Sequence, residues 1–310
     1  MQRKVLVTGV NGFVARYLVS ALKSHGCDVV GVDMAAAPTW CVDKYYSCNL
    51  IEADAIRIIL SVEHPDAIVH LAAVSSVAKS WLAPVDSFLN NTNIFLNLVE
   101  AVRTLKLHTR ILSVGSSEEY GNIPFNEIPI QEEHLLNPCS PYAVARVSQE
   151  QLSNLYAKGY GLDIVMTRSF NQIGPGQSPT FVVSSFVKQL VEGKAKGLSM
   201  ITVKAGDLTI VRDFLDVRDA VSAYVILLES GMSGTVYNIC SGIGRTLHEV
   251  LDQIASIVGV SVIVETDSSR IRPADNHIIV GDNSKLKKLG WSLQFPIERS
   301  FADMIECAAV

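Results

Sequence analysis

Short β-branched apolar runs alternate along this chain with longer stretches whose apolar positions recur every three or four residues. KVLVTG, DVVGVD, AIVHLAA, RILSVGS and DIVMTRSF are the runs. FVARYLVSALKSHG, IEADAIRIILSVEHP, DSFLNNTNIFLNLVEAVRTLK and the segment beginning at Pro141 are the helical stretches. Strand and helix in strict rotation make successive strands parallel, because each return needs a crossover. The pattern therefore predicts an α/β fold with a doubly wound parallel sheet of Rossmann type over residues 1–168. Past Arg168 the rotation fails. Gly and Pro punctuate NQIGPGQSPT, FVVSSFVKQLVEG reads as helix, RDFLDVRDAVSAYVILLES returns to helix-like periodicity, and TVYNIC reads as strand. TLHEVLDQIASIVG, SVIVET and FADMIECA complete a helix, strand, helix tail. With no Ser/Gly linker and no repeat, residues 169–310 are expected to form a smaller C-terminal α/β unit packed closely on the first. Parts of 212–240 are expected to complete the first unit, so that the chain crosses between the two more than once.

Composition narrows the class. Among 310 residues 48% are hydrophobic and 18% charged, enough apolar surface for a buried core. A net charge of −5, spread along the chain, argues against a nucleic-acid binder. The six cysteines form no CxxC pair and no His/Cys cluster with zinc-ligand spacing, so no metal is expected, and reduced thiols in the cytoplasm are the better reading. MQRKVLVTGV reaches Gly9 with no room for a signal peptide, and nothing approaches the ~18 apolar residues of a membrane span. VSAYVILL at 221–228 is a short buried helix at most.

Gly9-Val-Asn11-Gly12-Phe13-Val14-Ala15 directly follows the first strand and opens the first helix. Small residues there allow a tight turn, close backbone approach to a pyrophosphate and close helix packing, while the helix N-terminus offers unpaired N–H groups. Asp33, which ends DVVGVD 21 residues beyond Gly12, can accept both ribose hydroxyls of NAD and would repel a 2′-phosphate. No Arg follows in MAAAP, so NAD is preferred, with NADP possible.

Tyr142 and Arg146 stand four apart, which on a helix puts phenol and guanidinium on one face. A cation beside a phenol suits acid chemistry. Ser116 closes RILSVGS at the carboxyl end of a strand, where open parallel sheets place their ligands.

These segments resemble the extended short-chain dehydrogenase/reductase family along essentially the whole chain: GVNGFVA, CNL at 48–50, HLAA at 70–73, GSSEEYG at 115–121, PYAVAR at 141–146, RDFLDVRD at 212–219, and GW near the end. Within it, FNQIGPGQ, SSEEYG and RIRPAD are most similar to GDP-4-keto-6-deoxy-D-mannose reductases; the related GDP-mannose 4,6-dehydratases carry an NHESP-like sequence where this chain has NQIGP. The resemblance implies NAD(P)H-dependent reduction of a GDP-linked 4-keto-deoxyhexose to GDP-D-rhamnose. It implies that Asn49 and Leu50 lie against adenine, that His70, Leu71, Ala72 and Ala73 line diphosphate and ribose, and that Asn91 bridges backbone in a central helix. It makes Tyr142 the acid, Ser116 the substrate-facing hydroxyl and Arg146 the stand-in for the family's lysine, with Ser117 and Glu118 where the dehydratases keep acid and base. For the substrate it points to Ser75, Asn171, Phe181, Lys204, Arg212, Arg272 and Asp275. Gln172 stands where His is common. A homodimer through the helices bearing Asn91 and Tyr142 is implied too. Two other readings stay open: a 4,6-dehydratase or other sugar-nucleotide epimerase or dehydratase, and a dinucleotide-binding protein impaired by Arg146.

Overall fold

The structure, a computed structural model, describes residues 3–270 and 276–309. β1 (Lys4–Thr8), α1 (Phe13–Ser24), β2 (Asp28–Asp33), β3 (Lys44–Ser47), α2 (Ala53–Glu63) and β4 (Ala67–His70) open the chain. Next come α3 (Val77–Leu82), α4 (Pro84–Phe88), a π-helical turn at Leu89–Asn93, α5 (Ile94–Thr104), β5 (Arg110–Ser116), α6 (Pro141–Tyr160) and β6 (Ile164–Ser169). The remainder is β7 (Asn171–Ile173), α7 (Val182–Ala195), β8 (Met200–Ala205), β9 (Val211–Asp216), α8 (Val217–Ser230), β10 (Val236–Ile239), β11 (Gly244–Thr246), α9 (Leu247–Val258), β12 (Ser261–Thr266), β13 (Ile278–Ile279), α10 (Ser284–Lys287) and α11 (Ile297–Ala308).

The main sheet has seven strands in the order β10-β6-β5-β4-β1-β2-β3, every neighbouring pair parallel. Its inner strands read as continuous apolar runs because both faces are covered. In β1, Val5 and Val7 turn toward the α1 and α8 side, while Leu6 turns toward α2 and α5. Each such side chain contributes roughly 1.5–3 kcal/mol by leaving water. The strand order reverses between β1 and β4, which opens a crevice beyond their carboxyl ends.

A second sheet sets β9 between β11 and β13, with β7 pairing in parallel with the later residues of β9; β8 and β12 form a parallel pair. The third core cluster joins β8 and β9 to α7, α9 and α11. A small apolar cluster of Tyr120, Ile130, Phe170, Cys240 and Ile279 lies where the chain passes from one sheet to the other.

Two expectations need correction. RDFLDVRD is not helical throughout: Val211–Asp216 is a strand, and the helix starts at Val217. The polar residues that gave the segment a helix-like spacing are themselves buried; Asp213, for instance, accepts from the backbone N–H groups of Ser241, Gly242 and Gly281. The stretch 171–173, read as loop from its Gly and Pro neighbours, is strand β7. No helix among the described residues is long and apolar enough to cross a membrane.

Candidate active site

The turn after β1 is built so that nothing larger than glycine fits. Gly9 has φ +67°, and a Cβ there would lie 2.7 Å from the backbone of Ala72. The loop Leu71–Ala73 after β4 thus sits directly against the glycine turn across the sheet's reversal point. Gly12 precedes the first helical residue of α1 with no side-chain cap, so the first-turn N–H groups face the crevice side unclaimed by a capping side chain. A Cβ-free cradle ending in an uncapped helix N-terminus fits a dinucleotide's pyrophosphate. Phe13 and Val14 open that helix and pack on its core.

Asp33 accepts from the backbone N–H of Asn11 at 3.1 Å and of Ala35 at 3.2 Å, one to each carboxylate oxygen. Each oxygen keeps a lone pair for a hydroxyl. The Asn11 side chain donates to Ala37 O at 3.1 Å and accepts from Thr39 N at 2.6 Å, latching the loop after β2 over the turn. Farther along the rim, Asn49 is exposed and turns its amide oxygen to the N–H of Ile51, while Leu50 is buried with its carbonyl held by Asn97.

His70 does not line the crevice. It is fully buried, its Nδ1 2.9 Å from Thr8 Oγ1 and its ring 5.3 Å from that of Phe95; burial first, and Arg146 second, push its pKa down to about 3. It is a neutral floor residue under Leu71 and Ala72. Asn91 does bridge: from the π-helical turn it accepts from Val74 N at 3.0 Å and donates to Ser87 O at 2.6 Å. That pins the loop carrying Ser75, which is exposed.

Ser116 ends β5 and caps the 3₁₀ turn Ser117–Tyr120, its Oγ accepting from Glu118 N at 3.3 Å. Since the oxygen receives that bond, the hydroxyl proton remains to be donated elsewhere. Glu119 completes the box by accepting from Ser116 N at 2.6 Å. The Ser-x-x-Glu spacing that marks this box is legible in the sequence. Glu118 is half-buried and Ser117 buried, both in the same turn.

Glu119 is fully buried and its Oε2 has no partner. Burial first and the Glu150 carboxylate second hold its carboxyl well above the usual range, against the opposing pull of Ser116 N–H, Arg168 and Arg146. Burial thus favours the neutral acid beneath the site. A folded-state value above the unfolded one stabilises fully at low pH, and that contribution is lost as pH rises through the folded value. Wild type is therefore expected to lose stability relative to Glu119→Gln between about pH 5 and about pH 8. Thermal unfolding of both proteins at the two pH values checks this, and parallel behaviour would refute the neutral-acid assignment.

α6 starts where it does because Ser140 accepts from Ala143 N at 3.1 Å and Pro141 occupies the first turn. Tyr142 and Arg146 are brought together as their spacing predicted: Arg146 Nε donates to Tyr142 Oη at 3.1 Å. Both are buried, 6% and 5% exposed. Arg146 Nη1 also donates to Val114 O of β5 at 3.1 Å and to Gln149 Oε1 at 2.6 Å. The guanidinium thus lies across the sheet floor and ties the phenol to the strand that ends in Ser116. Tyr224 of α8 stands behind them, its hydroxyl bonded to Ser169 at 2.8 Å and to Gln172 at 2.7 Å. Neither Tyr224 nor Gln149 was singled out from the sequence.

The substrate-side residues scatter more. Asn171 is half-buried on β7. Phe181 precedes α7, partly exposed. Arg212 is buried and donates from Nη1 to Val211 O and Asn276 O. Lys204 lies on the exposed side of β8, its ammonium 3.8 Å from Glu265 across the β8–β12 ladder. Arg272 and Asp275 lie outside the described residues. Among the described residues no group of three or more His, Cys, Asp or Glu side chains is placed to hold a metal ion.

The family described as GDP-mannose 4,6 dehydratase matches residues 6–304. GDP-6-deoxy-D-mannose reductase of Pseudomonas aeruginosa is 32% identical over 301 residues, covering 97% of this chain and 95% of that one. GDP-mannose 4,6-dehydratase of Vibrio cholerae is 26% identical, covering 98% and 93%. Among solved structures, RMD from Pseudomonas aeruginosa complexed with NADPH superposes with a TM-score of 0.87 at 30% identity, covering 100% of this chain and 98% of that one. UDP-glucose 4-epimerase of Thermus thermophilus, in complex with NAD, gives 0.87 at 28%, covering 98% of each. With its Rossmann sheet, glycine turn and paired Tyr142 and Arg146, this chain belongs to the GDP-mannose 4,6-dehydratase family of nucleotide-sugar short-chain dehydrogenases/reductases.

Proposed function

We propose that the protein reduces the 4-keto group of GDP-4-keto-6-deoxy-D-mannose to give GDP-D-rhamnose, using NADH, with NADPH as the alternative donor. The observation that carries this reading is the direct bond from Arg146 to the Tyr142 oxygen, on the helix beside the strand that ends in Ser116. When bound, a reduced nicotinamide coenzyme supplies the hydride. The chain's own residues manage the oxygen. Ser116 donates its free hydroxyl proton to the carbonyl oxygen, and Tyr142 gives its proton to the same oxygen as it becomes an alcohol. Arg146 keeps the phenol oxygen fixed and leaves its proton to be given away. The glycine turn and α1 N-terminus would hold the diphosphate, and Asp33 the adenosine ribose.

Similarity to GDP-6-deoxy-D-mannose reductase supports the substrate, and the NADPH and NAD bound to relatives support a nicotinamide coenzyme. The division of labour is between a coenzyme unit over 1–168, completed by parts of 212–240, and a sugar-nucleotide unit over 169–310. Asn171, Phe181, Ser75 and Arg212, with Arg272 and Asp275, are assigned to the substrate. Lys204, 3.8 Å from Glu265, is assigned to the substrate as well. A cytoplasmic homodimer is part of the proposal. Leu82, Val85, Phe88, Leu89, Val144 and Leu155 expose apolar surface on α3, α4, the π-helical turn and α6, and a light-scattering mass tests the pairing.

Purified protein given GDP-4-keto-6-deoxy-D-mannose is expected to oxidise NADH or NADPH stoichiometrically, and to leave GDP-mannose unchanged. Ser117 and Glu118 beside Ser116 favour the dehydratase as the second reading. Turnover of GDP-mannose would establish it, and silence with both sugars would overturn the enzyme assignment.

A further inference from the structure

Arg146 occupies a position where an arginine has an obvious competitor for the phenol. Glu150 lies one turn on, at the i,i+4 spacing that favours ion pairs on a helix. Glu150 is already taken: Arg168 of β6 grips both its oxygens, at 2.8 Å and 2.7 Å. Arg146 instead meets Gln149, a neutral residue that is 1% exposed.

The Gln149 amide has only one orientation that satisfies its neighbours. A guanidinium can only donate and a main-chain carbonyl can only accept. Its Oε1 therefore faces Arg146 Nη1 at 2.6 Å, and its Nε2 faces Ser113 Oγ at 2.9 Å and Val114 O at 3.2 Å. The Ser153 and Ser113 hydroxyls bond each other at 3.0 Å, and Ser153 Oγ also meets Gln149 O at 2.9 Å, closing the network from α6 back onto β5. All four side chains, Ser113, Arg146, Gln149 and Ser153, are buried. A buried network with every member paired fixes one geometry, because any rotation leaves a polar atom unsatisfied in a low-dielectric interior.

We infer that Gln149 is a positioning residue that adapts this site to arginine: it clamps the Arg146 guanidinium against β5 so that Nε, and not a terminal nitrogen, meets the Tyr142 oxygen. Its neutrality matters as much as its shape. A carboxylate in its place would form a salt bridge with the guanidinium and set a negative charge near the phenol. The amide holds the cation without offsetting it. A lysine at 146 carries one nitrogen at the end of a flexible stem and has no Nη1 to be held, so it would have no use for this clamp.

The inference rests on the proposed role of Tyr142, and its test keeps the two separable. In kinetics, Gln149→Leu is expected to lower kcat about tenfold with the sugar-nucleotide KM within about twofold. In an Arg146→Lys background the same change is expected to cost less than about twofold, a non-additivity that independent sites do not show. Equal cost in both backgrounds would mean that Gln149 serves only helix packing, and would overturn the inference. Gln149→Glu is expected to be slower than Gln149→Leu, although it can accept the same bond; a Glu variant as fast as wild type would also count against the clamp. Independently of turnover, the Arg146 Nε–H signal in a ¹⁵N spectrum, assigned by its loss in Arg146→Lys, is expected to exchange slowly with solvent in wild type. It should exchange at least about tenfold faster in Gln149→Leu. Unchanged exchange would overturn the inference even if the substrate assignment holds. Faster exchange without turnover of any sugar nucleotide would sustain the clamp and refute only the proposed reaction.

Discussion

Tyr142→Phe is expected to lower turnover by about 10²–10⁴-fold, the usual contribution of a positioned general acid, while fold and coenzyme affinity stay near wild type. The ring is buried in the first turn of α6, and phenylalanine fills the same volume. Only the oxygen is lost. Arg146 then loses one acceptor but keeps Val114 O and Gln149, so the guanidinium stays seated. Steady-state kinetics beside a melting curve checks the expectation. A variant within about tenfold of wild type at an unchanged melting temperature would move the acid to another residue.

The largest stability effect is expected at a residue that touches no substrate. Arg168→Leu removes the guanidinium that binds both oxygens of Glu150, donates to Glu132 O at 2.9 Å and lies 4.6 Å from the centre of the Tyr120 ring. Glu150 would remain buried as an unpaired charge close to Glu119. Breaking such a pair costs about 3–5 kcal/mol, which lowers the melting temperature by roughly 5–8 °C in a chain of this size. Replacing both members, Arg168→Leu with Glu150→Leu, should recover much of that loss, since two apolar residues leave no charge behind. If the double variant melts as low as the single one, the cost lies in packing and not in the stranded carboxylate.

The sequence was most legible where burial is symmetrical. VLV, VVGV, AIV, ILSV and IVM are apolar without alternation because helices cover both faces of the sheet, and that continuity with the intervening helices gave the parallel order. It was least legible at edges and where polar groups go inside. Lys44–Ser47 is an edge strand with no buried residue, so it lacked an apolar signal. β9 carries buried Arg212, Asp213 and Asp216, whose partners come from distant segments, and its spacing resembled a helix. The site divides in the same way. Tyr142 and Arg146 were readable because their relation is local to one helix. Gln149 was not, because its meaning depends on Ser113, 36 residues away on another element. The pairing of Glu150 with Arg168 was hidden for the same reason.

The small apolar cluster at the junction of the sheets has a mechanical consequence. The chain leaves the large sheet twice, from β6 into β7 through Phe170 and from β10 toward β11 through Cys240, and both residues lie in that cluster. Phe170 N also donates to Ile239 O at 2.9 Å, lashing the two exits side by side. Between them the chain returns, β9 running straight into α8 at Asp216–Val217, so three covalent crossings join the second sheet to the large one. A fragment ending at residue 168 would lose all of these crossings together with the large sheet's outermost strand, β10.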